Sequence, residues 1–154
     1  MLSDDVYRSE LARSFASLKR ATAPLADVAE IASAETPDFV RLSLLPHAAG
    51  ACAVEIMLRA DQLYDISVGA EFYEDCRIER FDLFEPLILA IARGDVVQRH
   101  HISAATGTER AIETIVPLPG GATWRKGHVH TLVAADIAEA STVFEDRRYV
   151  PYRR

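Results

Sequence analysis

The chain has 154 residues, 49% of them hydrophobic and 26% charged, with a formal charge of −6 at pH 7. Those are the size and balance of one globular domain that can bury a core, which argues against disorder. The acidic balance disfavours nucleic acid and anionic membranes as partners, because both require a basic surface.

Residues 3–22 read as an amphipathic helix. Tyr7, Leu11, Phe15 and Leu18 recur at helical spacing, and Ser3 stands at the N-cap position ahead of Asp4 and Asp5. Pro24 ends this helix and opens a second, with Leu25, Val28, Ala29 and Ala32 as its stripe and 36–38 as the closing turn. From Phe39 the period becomes two. Val40, Leu42 and Leu44 mark one strand, and Val54, Ile56 and Leu58 a second. The longest alternation, Tyr64, Ile66, Val68, Ala70 and Phe72, marks a third, and 76–81 suggests a further short one.

An apolar helix follows. Asp82 and Glu85 have capping-box spacing, but that start buries Pro86 in the first turn, so Pro86 is preferred as the first helical residue, with Gly94 as the stop. Strands over 95–104 and 108–118 then form a hairpin around Ala105, Thr106 and Gly107, with Gly107 left-handed. This loop sets Arg99 opposite Glu113, His100 opposite Ile112 and Val96 opposite Val116. After the turn at Pro119, Gly120 and Gly121, residues 128–133 read as the last strand. A terminal helix carries Ile137, Ala140 and Phe144, capped by Asp136 and Glu139. The expectation is an α+β fold in a single domain over 1–154, with 146–154 a loose tail. Its antiparallel sheet has about five to six strands with helices packed on it, in the order α-α-β-β-β-α-β-β-β-α.

Motifs that would name a chemistry are missing: there is no nucleophile elbow, no phosphate-binding loop and no dinucleotide fingerprint. Cys52 and Cys76 are too few for a disulfide scaffold and lack Cys-x-x-Cys spacing. The start of the chain is acidic, unlike a signal peptide, and no run is long enough to span a bilayer, so a cytoplasmic location is expected. The acids Glu71, Glu74, Asp75 and Glu79, interleaved with Arg77 and Arg80, read as a solvated charge mixture.

Two sets of residues remain. His128 and His130 share one face of a strand, as do His101 and Glu113 in the hairpin register, so matching faces would let all four converge on a transition metal. Alternating polar residues on a solvated strand explain the same pattern without a metal, and no cofactor is expected. Trp124 and Arg125, in a Gly-bounded loop with Lys126, suit a recognition tip, although the tryptophan suits a core cap equally well. The favoured function is a non-enzymatic interaction or small-ligand-binding module; the alternative is a metal-assisted enzyme built on the strand histidines. A homodimer is expected, because Val97, Ala111 and Ile115 leave the hairpin's second face partly apolar as well.

Overall fold

In the computed structural model, which describes residues 1–130 and 142–154, the stripe Tyr7, Leu11, Phe15 and Leu18 is the buried face of α1 (Asp4–Thr22). Ser3 stands at the N-cap without a side-chain bond to the helix, and Asp4 and Asp5 support the first turn through the helix dipole. The second helix expected after Pro24 is replaced by a 3-10 turn (Ala23–Leu25) and strand β1 (Ala29–Glu35). β1 pairs along its whole length with β2 (Phe39–Pro46), from Ala29 opposite Pro46 to Glu35 opposite Val40. A helix this short is marginal by itself, so a complete backbone ladder prevails over it.

β3 (Val54–Arg59), β4 (Leu63–Val68) and β5 (Glu71–Arg77) complete an antiparallel meander in the order β1-β2-β3-β4-β5. The alternating run expected as one strand is therefore a hairpin. Gly69, at φ +60°, and Ala70 form its two-residue loop, and Val68 faces Glu71. The loop switches parity, so Tyr73 faces the core and Phe72 is exposed. A bulge at Asp75, whose N–H donates to Asp65 Oδ1 at 2.8 Å, switches it again and buries Cys76.

One 3-10 turn (Phe81–Leu83) leads into α2 (Phe84–Ala92), where Pro86 is the third residue rather than the first. The N–H at that position has no acceptor inside the helix, so proline is still tolerated. α2 is buried over most of its length and ends before Gly94 at φ +83°.

The second sheet contains β6 (Val97–Ser103), β7 (Glu109–Pro117), β8 (Thr123–Val129) and β9 (Thr142–Arg148), in the order β8-β7-β6-β9. The fold is thus α+β as expected, but with two antiparallel sheets instead of one, and nine strands among the described residues instead of five or six. The expected terminal helix falls on 131–141, outside the described residues, apart from Phe144, which lies on β9. Both helices and the inner faces of both sheets share one hydrophobic cluster. Polar contacts tie the sheets together: Trp124 Nε1 donates to Tyr64 OH at 3.1 Å, and Tyr73 OH lies 2.7 Å from Thr114 Oγ1.

Residues 146–154 are not a loose tail. Asp146 to Arg148 belong to β9, and Tyr149 and Tyr152 are buried. Tyr149 OH donates to Gln98 Oε1 and Tyr152 OH to the Cys52 carbonyl, each at 2.5 Å. Arg153 grips Asp27 with two nitrogens at 2.7 Å. Tyrosines anchor a chain end in this way because the ring is apolar while the hydroxyl reaches a buried acceptor. No helix among the described residues is long and apolar enough to cross a membrane.

Candidate functional site

The β6 and β7 hairpin positions the site. Arg99 lies opposite Glu113 and His100 opposite Ile112, and Gly107 has φ +71°, all as the sequence predicts. The loop end differs. Ser103 pairs with Thr108 around the four residues Ala104 to Gly107, and a bulge at Arg110 restores the predicted register below it. Because one residue of slippage reverses side-chain direction, Glu109 sits opposite Ile102 and joins the face of His100, not that of His101.

β8 does lie beside this hairpin, but with Gly127 opposite Glu113 and His128 opposite Ile112. His128 therefore shares the Ile112 face. Its ring stacks on Tyr73 with 4.7 Å between centroids, and its Nε2 donates to the Phe72 carbonyl at 2.8 Å. His130 shares that face, and Glu109 accepts from His100 Nδ1 and from His130 Nε2, the latter at 3.1 Å. The hydrogen bond from His100, reinforced by His130, holds the Glu109 carboxyl below the ordinary glutamate value.

The four residues expected to converge are thus divided between two faces, with His101 and Glu113 on the outer one. Among the described residues, no three His, Cys, Asp or Glu side chains form a group that could hold a metal ion. Trp124 lies on β8, buried against Tyr64 and Tyr73, whereas Arg125 is exposed on the outer face.

Three rows cross that outer face. Val129, Ala111, His101 and Phe144 form one, Gly127, Glu113, Arg99 and Asp146 the next, and Arg125, Ile115, Val97 and Arg148 the third. Arg99 does not bridge to Glu113 despite the register. Its fork binds Asp146 in bidentate fashion at 2.8 and 3.0 Å, and this holds the Asp146 carboxyl below its usual range. Glu113 is left between His101 Nε2 at 3.1 Å and Arg125 Nε at 3.5 Å. Neither contact is aligned as a hydrogen bond, so His101 Nε2 and Glu113 Oε2 are buried polar atoms without a hydrogen-bond partner among the described residues.

Gly127 lets β8 approach β7 closely beside this pair: a Cβ there would crowd the Ile112 carbonyl at 3.1 Å and Glu113 Cγ at 3.4 Å. Gly127 also lines a cavity of about 500 Å³ whose described lining includes His101, Ala111, Glu113, Arg125, Lys126 and Val129. Comparison of the chain with protein-family models, curated proteins and solved structures finds no match.

Sequence reasoning missed two components of the site. The glycine at 127 within a strand is a recognised sign of close approach by a ligand or backbone, and could have been weighed. The pairing of Glu109 with His100 and His130 depends on the bulge at Arg110, which no local pattern announces. Neither cysteine is a candidate nucleophile: both are buried, and burial pushes the Cys52 thiol up to about 12.

Proposed function

We propose that the chain is a non-catalytic binding module for a small organic anion, working in the cytoplasm as a homodimer, with the outer face of the second sheet as its binding surface. The cavity over Gly127 carries this reading. At about 500 Å³ it has the size of a small-ligand site, and on the outer face it combines apolar Ala111 and Val129 with the cation Arg125. Glu113 is the single carboxylate among its described lining residues, and it holds Arg125 only loosely, at 3.5 Å. An incoming carboxylate can take the guanidinium fork in a bidentate geometry, while a ring or short chain covers Ala111 and Val129. The chain's charge of −6 makes this cation a local feature and disfavours nucleic acid as the ligand.

Benzoate and benzylamine, titrated into ¹⁵N-labelled protein, separate the possibilities. Benzoate is expected to shift the amides around Gly127, and Arg125→Ala to weaken it about tenfold, the effect of losing one charge-assisted hydrogen bond. A preference for benzylamine, or an unchanged benzoate affinity in Arg125→Ala, rejects the anion reading. Stoichiometric zinc or iron that is lost in His128→Ala favours the metal-assisted enzyme instead.

A further inference from the structure

We infer that β9 is the dimer interface, pairing antiparallel with the β9 of a second copy about a two-fold axis at Asp146. The inference rests on the homodimer reading above and assigns it a surface. Every residue of β9 is exposed, it is an edge strand among the described residues, and its apolar Val143 and Phe144 are 49% and 60% exposed. An edge of this kind offers unpaired N–H and C=O groups to another strand.

Charge selects this edge over the others. β1 carries Glu30 and Glu35 and no cation, whereas β8 carries Arg125 and Lys126 and no carboxylate, so each repels its own copy. On β5 the Phe72 carbonyl already accepts from His128, and three carboxylates, Glu71, Glu74 and Asp75, stand against the single cation Arg77. β9 alone carries both signs in an order that complements itself, Glu145 and Asp146 followed by Arg147 and Arg148.

The register follows from sheet geometry. In an antiparallel pair, two opposing residues either both bond across or both turn away, so a strand meeting its own copy places one residue opposite itself. Arg147 on the axis would oppose two guanidinium groups. Glu145 on the axis would oppose two carboxylates that no described ion pair neutralises. With Asp146 on the axis, Glu145 faces the partner's Arg147 and Phe144 faces the partner's Arg148, and each pairing occurs twice. Asp146 tolerates the axis because Arg99 holds its carboxylate at 2.8 and 3.0 Å, with Arg148 3.9 Å away. The result is a continuous eight-stranded sheet that carries both Gly127 cavities on one face.

Sedimentation equilibrium of the full chain, at on the order of tens of micromolar, tests this. The wild type is expected near 34 kDa, twice the 17.0 kDa chain. Glu145→Arg and Arg147→Glu should each weaken dimerisation about tenfold or more, since like charges then meet twice across the axis. The double variant Glu145→Arg with Arg147→Glu restores the pairing and should restore the dimer, which a folding defect would not do. A wild-type monomer overturns both the dimer and this interface. A dimer that persists in both single variants, or is not restored in the double variant, overturns the β9 assignment alone.

Discussion

Gln98 joins both sheets and the C-terminal segment. Its Nε2 donates to the Val68 carbonyl at 2.8 Å and to Thr114 Oγ1 at 3.3 Å, while its Oε1 accepts from Tyr149 at 2.5 Å. A buried polar atom that loses its partner costs about 1–3 kcal/mol. Tyr149→Phe removes one donor and little volume, so urea unfolding should show a loss of about 1–2 kcal/mol with an unchanged slope. No loss would mean that Gln98 finds another donor. Trp124 illustrates how little a single residue says about its own placement. Its neighbours Arg125 and Lys126 suit a surface tip, and the partner of its indole N–H, Tyr64, lies 60 positions away in the chain.

At the level of elements, α2 and the C-terminal segment meet at Gly94. A Cβ there would stand 2.9 Å from Pro151 N and 3.0 Å from Tyr149 O, at a φ of +83°. Gly94→Ala should therefore combine left-handed strain with a backbone clash, for a total of about 3 kcal/mol, well above the roughly 1–2 kcal/mol of the strain alone. Gly120→Ala is the control: φ is +79° there but nothing lies within 4 Å, and its expected loss is about 1 kcal/mol. Equal losses in thermal unfolding would show that the segment does not press on the helix end. The stop at Gly94 was legible because a glycine after an apolar helical run is a local signal. The hairpin at Gly69 was hidden, because a two-residue loop leaves the alternation of Tyr64, Ile66, Val68 and Phe72 looking uninterrupted.

For the molecule as a whole, the C-terminal segment works as a clasp. It runs past α2, where Tyr152 N–H donates to the Ala92 carbonyl at 2.8 Å, and Val150 bridges to Ala51. Cys52 beneath it is fully buried. In a Cys76→Ser background, the full chain should be unreactive toward Ellman's reagent, and deletion of 149–154 should make Cys52 reactive, because both access and thiolate formation are restored. A deleted chain that stays unreactive would show that other parts of the fold cover Cys52.

The sequence by itself determined whatever depends on neighbouring residues. The buried stripe of α1, the apolar α2, the left-handed Gly107 and the placement of Arg99 opposite Glu113 all follow from periodicity and turn chemistry within a short window. Tertiary structure alone decided the rest. β1 forms because β2 offers it a complete ladder, and the tail is held by Gln98, Cys52 and Asp27. His128 leaves Glu113 because β8 docks with Gly127 there, and Glu109 meets His100 because one extra residue at Arg110 shifts the register. Strand order, register between distant strands and bulges are set by the energies of contacts far apart in the chain. One-residue slips reverse every side chain beyond them, so the candidate site was legible only as far as His101, Glu113 and Arg125.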